Sequence, residues 1–130
     1  MVSHPCPCGT SNDYLTCCGL YISNKALPKT PEALMRSRYT AYTRANIDYI
    51  KKTMQGKPLM GFNEIEITHW AKSVQWLGLN VIKAHQDPAD KHTGFVEFIA
   101  TFVDKGAIQT IHEISQFKLI NGCWFYVDGK

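Results

Sequence analysis

Cys6-Pro7-Cys8, eight further residues and then Cys17-Cys18 place four of the chain's five cysteines close together near its start. Thiolates are soft donors, and zinc takes four of them at the corners of a tetrahedron, each at ~2.3 Å. Two close pairs on one tight loop can supply such a set. The intervening Gly9-Thr10-Ser11-Asn12 run is rich in turn formers, so the chain can fold back and aim amides at the sulfurs. Two other readings are disulfides and free thiols. A bridge between vicinal cysteines, or within Cys-Pro-Cys, strains disulfide geometry, and cross-pairing needs an oxidising compartment. The expectation is a structural zinc site of Cys6, Cys8, Cys17 and Cys18. Four thiolates leave no open position for water, so a catalytic ion is not expected. Metal binding would contribute ~10 kcal/mol or more to folding a segment with little core of its own. His4 is expected at the surface beside the site, and Cys123 as a small core or surface residue on a distant strand.

A second group is less conventional. Ile111, Glu113, Ser115, Phe117 and Leu119 alternate onto one face of a predicted strand, which leaves Glu113 among apolar neighbours. A carboxylate there is costly unless paired. Arg38 lies four residues from both Leu34 and Tyr42 on a predicted helix, so Arg38 and Glu113 are expected to meet across the interior. Such a pair could simply set helix against sheet. It could also anchor a ligand in a pocket lined by Tyr39, Trp70, Trp76, Phe117 and Tyr126, with Ser115 beside Glu113. His69, His85, His92 and His112 are scattered, with none at a metal spacing from another. No phosphate loop, nucleophile elbow or metalloprotease motif is present. No catalytic residue can be assigned, so enzyme activity stays the alternative to binding.

These residues need elements to position them. Residues 1–24 read as a loop punctuated by Pro and Gly, and 24–30 as a linker. Thr30 as cap, Pro31 at the first turn and Glu32 at the dipole's positive end predict a helix from residue 31. Leu34, Met35, Tyr39, Tyr42, Ala45 and Tyr49 recur at its spacing, with Arg36, Thr40, Thr43 and Arg44 on the other side. Asn46 or Asp48 is a candidate break, and Gly56-Lys57-Pro58 the end. A second helix is expected over about 64–74, opened by an Asn63/Glu66 capping box. Strands are expected over 76–85, 94–103, 107–120 and 123–128. A polar connection spans 85–93, and turns fall at Asp104-Lys105-Gly106 and Asn121-Gly122. Helices followed by an antiparallel sheet give an α+β fold.

Composition agrees. The 130 residues are 45% hydrophobic, enough for one core. The net charge of +3 is uneven: residues 1–57 carry eight Lys/Arg against three Asp/Glu, and 58–130 carry six against eight. An acidic partner for the first half is conceivable, but no tight basic cluster exists, and a solvated helix face is the simpler expectation. No apolar run approaches the ~18 residues of a membrane span, and the start lacks a secretory pattern, so a cytoplasmic setting is expected.

The cysteine pattern, with glycines after Cys8 and Cys18, resembles the SEC-C motif, named for the C-terminal zinc segment of the SecA translocase. Leu34-Met35-Arg36-Ser37-Arg38-Tyr39, Trp76-Leu77-Gly78-Leu79, Glu113-x-Ser115-x-Phe117 and Trp124-x-Tyr126-x-Asp128-Gly129 are similar to the YchJ family of bacterial proteins. The resemblance covers nearly the whole chain. It implies a SEC-C-like zinc knuckle over 1–24 and, over 28–130, a cone-shaped domain like nuclear transport factor 2, whose curved sheet and helices enclose a pocket. Many SEC-C knuckles carry lysines between their second and third cysteines and use them to bind acidic partners. Here Gly9 to Thr16 has no Lys or Arg and includes Asp13. Several relatives carry a second knuckle at the C-terminus, whereas this sequence stops at Lys130, so a function needing two knuckles is not expected. The leading expectation is an adaptor-like protein whose structural zinc knuckle meets a protein or ribonucleoprotein partner. The alternative is a small-molecule or enzymatic pocket. A membrane is not expected as partner, and nucleic acid is disfavoured because aromatic residues at helix and strand spacing usually build cores.

Overall fold

A computed structural model describes residues 4–130. After a short 3-10 turn at Tyr14–Thr16 come five helices: α1 (Cys18–Ile22), α2 (Pro31–Thr43), α3 (Ile47–Lys52), α4 (Lys57–Met60) and α5 (Glu64–Ser73). Four strands follow: β1 (Gln75–Asp87), β2 (Asp90–Asp104), β3 (Ala107–Ile120) and β4 (Cys123–Gly129). The strands form one antiparallel sheet in the order β1-β2-β3-β4. This is the α+β arrangement the patterning implies.

Local chemistry explains the boundaries. Thr30 accepts from the Ala33 amide at 3.0 Å and Pro31 opens α2. Asn46 interrupts the helical run by capping α3 through the Tyr49 amide, and Asn63 caps α5 through the Glu66 amide. Lys105-Gly106 and Asn121-Gly122 both take positive φ, which closes tight hairpins. Three features depart from expectation. The cysteine segment contains the one-turn helix α1 as well as loop, and α4 forms directly after Gly56. The expected polar connection over 85–93 is absent: β1 and β2 run on to Asp87 and Asp90, leaving Pro88-Ala89 between them. Both faces of that hairpin tip are wet, so its polar residues carry no strand periodicity. Asp87 and Asp90 close the tip through the Ala89 and His92 amides.

The core lies between α2 and the sheet. Leu34, Met35 and Tyr39 of α2 pack on Val96, Phe98 and Ala100 of β2, Phe117 of β3 and Trp124 of β4. Along β2, alternate residues from Val96 to Phe102 are buried, as a one-sided sheet requires. A second cluster joins Ala41, Tyr49, Ile50 and Met54 beneath α3. Trp124 Nε1 donates to the Lys29 carbonyl oxygen, which fastens the linker to β4.

Candidate functional sites

Two sites share α2. The first is the cysteine hook. Cys6, Cys8 and Cys18 are buried and Cys17 half-buried, and all four sulfurs lie within 4.8 Å of one another. A tetrahedron of thiolates at ~2.3 Å from zinc has sulfurs about 3.8 Å apart, so the set fits such an ion with little adjustment. The hook is closed by Cys6 N–H donating to Asn12 O at 2.8 Å and Tyr14 N–H to His4 O at 2.8 Å. Hydroxyls crowd the sulfurs: Thr10 Oγ1 lies 3.3 Å from Cys17 Sγ and 3.5 Å from Cys8 Sγ, and Thr40 Oγ1 lies 3.7 Å from Cys6 Sγ. Of the small turn residues, Thr10 also turns its amide onto Cys8. A hydrogen bond from Cys18 holds the Cys8 thiol well below its ordinary value, while the same bond and burial push Cys18 up.

The side of α2 expected to be solvated instead receives the hook. Arg36 Nη1 donates to Cys8 O at 2.6 Å while its Nε pairs with Glu32 at 2.9 Å. Thr40 is wholly buried under Cys6. The Arg44 guanidinium sits 3.8 Å over the Tyr14 ring. Gly19 is required here, because a Cβ would overlap Tyr14. Of the first half's eight basic residues, Arg38 is buried, Arg36 is half-buried against the hook, and Arg44 lies on the Tyr14 ring while staying exposed. Cys123 lies apart from the hook and half-buried, and His4 is exposed beside it.

The second site is a cavity of about 190 Å³ between α2, α5 and the sheet. Met35, Arg38, Tyr39 and Tyr42 enter it from α2 at helical spacing. Trp70 comes from α5, Trp76 from β1, Phe98 and Ala100 from β2, Ile111, Glu113 and Ser115 from β3, and Tyr126 from β4. Arg38, Tyr39, Trp70, Trp76, Glu113, Ser115 and Tyr126 thus share one wall-to-wall space. Phe117, expected among the lining, is instead fully buried core and meets Tyr126 edge-on at 5.9 Å. Met35, Tyr42, Phe98, Ala100 and Ile111 were not anticipated there. The i+4 step from Arg38 to Tyr42 was the available signal for one of them. The aromatic walls hold each other edge-to-face: Trp70 on Trp76 at 5.1 Å and Tyr39 on Trp76 at 5.7 Å.

Arg38 and Glu113 do not form the direct ion pair expected from sequence. Arg38 Nη1 donates to Ile50 O and to Thr53 Oγ1, both at 2.7 Å. Tyr126 stands between the charges, its ring 4.7 Å from Arg38 Cζ and its hydroxyl donating to Glu113 Oε2 at 3.1 Å. Ser115 Oγ donates to the same oxygen at 2.5 Å. Tyr126 is held in that place beside Thr53, which accepts from Tyr126 N–H on its carbonyl oxygen at 2.9 Å and from Arg38 on its hydroxyl. Burial lowers the Arg38 pKa and raises those of Tyr42 and Tyr126, the latter pushed further by Glu113. Gly129 closes the arrangement, because a Cβ there would overlap both the Tyr126 hydroxyl and the Glu113 carboxyl. His112 faces the opposite side of β3 and pairs with Glu97 at 2.7 Å.

Helices on a four-stranded antiparallel sheet, with a pocket between and a cysteine hook in front, define a nuclear transport factor 2-like protein carrying a SEC-C-type module. The family described as the YchJ middle domain, nuclear transport factor 2-like, matches residues 30–129. The chain belongs to the YchJ family. A UPF0225 protein of Geobacter sulfurreducens is 42% identical over 125 residues, covering 95% of this chain and 77% of that protein. The UPF0225 protein YchJ of Shigella dysenteriae is 38% identical over 128 residues, covering 98% and 84%. A SEC-C motif containing protein from Rhodopseudomonas palustris, solved in solution, superposes with a TM-score of 0.86 at 35% identity, covering 96% of each chain. One from Psychrobacter arcticus, solved by crystallography, gives 0.84 at 30% identity, covering 97% of this chain and 81% of that one. Among the described residues no helix is long and apolar enough to cross a membrane.

Proposed function

We propose that the hook is a structural zinc knuckle and that it presents a surface to a protein partner. The observation that carries this reading is the convergence of four sulfurs within 4.8 Å on a loop that Arg36 ties to α2 through the Cys8 carbonyl. With four thiolates around it, zinc would act as scaffold, holding Cys6, Cys8, Cys17 and Cys18 together. What it holds out is Leu15, two-thirds exposed at the hook's outer turn. An exposed leucine on a rigid, metal-braced turn is a natural anchor for a partner's apolar pocket. The exposed turn carries no Lys or Arg, so recognition rests on shape and apolar contact more than on charge. A photo-crosslinking residue at Leu15 in cells is expected to trap a discrete partner, lost when Cys8 is replaced by serine. Equal yield from the same probe at exposed Ile108, near the start of β3, would discard the reading.

A second reading rests on the cavity. Its volume is below the roughly 300–1,000 Å³ of sites for drug-sized molecules, so its occupant would be small. Aromatic walls with a few convergent polar groups are the usual make-up of a ligand site. Saturable chemical-shift changes at the Trp70 and Trp76 indoles in the presence of small ligands would support it.

A further inference from the structure

The polar end of the cavity has two groups with unfilled capacity. Arg38 is 5% exposed, and its Nη1 is committed to Ile50 and Thr53, while Nε and Nη2 have no partner among the described residues. That free edge is the side-on fork that matches a carbonyl or carboxylate oxygen. Glu113 takes both of its hydrogen bonds, from Ser115 and Tyr126, on Oε2, and Oε1 has no partner among the described residues. Both residues line the same cavity. A donor edge and an acceptor atom without partners therefore belong to two residues that line one small aromatic space.

Charge decides what fits. A carboxylate brought to Arg38 enters the same cavity as the Glu113 carboxylate, and an ammonium brought to Glu113 enters the same cavity as the Arg38 guanidinium. Either leaves one buried charge worse off. A neutral head with an acceptor and a donor side by side satisfies both, and hydrogen bonds to charged partners are the stronger kind. The remaining space is hydrocarbon and ring faces. A cavity of ~150 Å³ lined by apolar side chains accepts benzene, so about 190 Å³ suits a single six-membered ring with a short substituent. We propose, building on the pocket reading above, that this cavity binds a small planar uncharged carboxamide or lactam. Its carbonyl oxygen lies on the Nε/Nη2 edge of Arg38 and its N–H donates to Oε1 of Glu113.

The bonding of Glu113 makes the test sharp. Ser115 and Tyr126 both donate to one carboxyl oxygen, so in Glu113→Gln these two donors favour the amide oxygen at that place. The NH₂ then takes the place of Oε1 and converts an acceptor into a donor. The full metal-loaded chain is titrated with benzamide, 2-pyridone, benzoate, benzylamine and toluene, read by calorimetry and by the Trp70 and Trp76 indole resonances. Benzamide or 2-pyridone is expected to bind at least tenfold more tightly than the charged and apolar probes. Glu113→Gln, checked for folding by circular dichroism, is expected to weaken the amides tenfold or more and to improve benzoate. Benzoate, benzylamine or toluene binding best to the native chain would overturn the carboxamide assignment and leave a pocket of another specificity. Amide binding unchanged in a folded Glu113→Gln would overturn it equally. No probe binding at millimolar concentration would overturn both the assignment and the pocket reading.

Discussion

Arg36 and Cys8 are joined by a 2.6 Å hydrogen bond from guanidinium to carbonyl oxygen across 28 positions of chain. It is the most direct tie between the cysteine hook and the body of the protein. A solvated basic face would have no such bond, and the half-buried Arg36 side chain shows why: the hook needs a donor on α2 to hold a carbonyl that points away from its own turns. Replacing Arg36 by alanine leaves that oxygen unpaired and should cost about 1.5–3 kcal/mol. The exposed Glu32 pair adds little. The loss should read out as a several-fold faster transfer of bound metal to a coloured chelator, with the sheet unaffected by circular dichroism. Lysine should rescue poorly, since it cannot reach Glu32 and Cys8 with one planar fork.

Replacing Cys8 or Cys18 by serine should abolish stoichiometric zinc, measured by elemental analysis of reduced protein. Residues 4–24 should then lose protection from amide exchange, because structural thiolate sites contribute ~10 kcal/mol or more to segments of this size. The core of Leu34, Phe98, Phe117 and Trp124 touches none of the four cysteines and should remain folded. Full zinc occupancy in either variant would refute the ligand set.

Gly129→Ala puts a methyl where the Glu113 carboxyl and Tyr126 hydroxyl sit. Overpacking of this kind costs about 1–3 kcal/mol. A drop of several degrees in Tm is expected, together with altered Tyr126 fluorescence or ring resonances. Gly78→Ala has open space around its Cβ and serves as the control, with little change expected.

The protein should also have an alkaline limit. Burial pushes the Tyr39 and Tyr49 phenols up to about 12, and both are almost fully buried. In the unfolded chain they ionise near 10. Their raised values favour the folded, neutral form, so the stabilisation is complete below about pH 10 and is lost as pH climbs toward 12. Each contributes on the order of 2 kcal/mol. The denaturation midpoint should hold to about pH 9.5 and then fall steeply, with phenolate absorbance appearing in step with unfolding.

The residues that announce themselves in sequence are those whose signals are local. Thr30-Pro31-Glu32, Asn63, Asn121-Gly122 and the cysteine pairs each specify a neighbour a few positions away, and the structure has the corresponding caps, turn and cluster. Alternation on one strand face placed Glu113 and Ser115 on the inside of β3. What sequence did not give is where α2 crosses the sheet. That crossing, fixed by packing of Leu34, Met35 and Tyr39, sends Arg38 toward Thr53 and lets Tyr126 intervene before Glu113. The other side of α2 meets the hook, so of the residues that read as a solvated stripe Thr40 is buried and Arg36 half-buried, while Arg44 stays exposed. The hairpin tip at Pro88-Ala89 was missed for the opposite reason: beyond the core nothing imposes a period.

Arg36 grips the hook and Arg38, two residues further along the same helix, faces the cavity. Both sit near the middle of one thirteen-residue helix, so a shift of that helix reaches both. If filling the cavity steadies that helix, linked equilibria require the ion to be held more tightly by the same factor, and the ion in turn to favour the occupant. A protein wired this way would report on two quantities at once, metal supply and a small molecule, through the posture of a single helix.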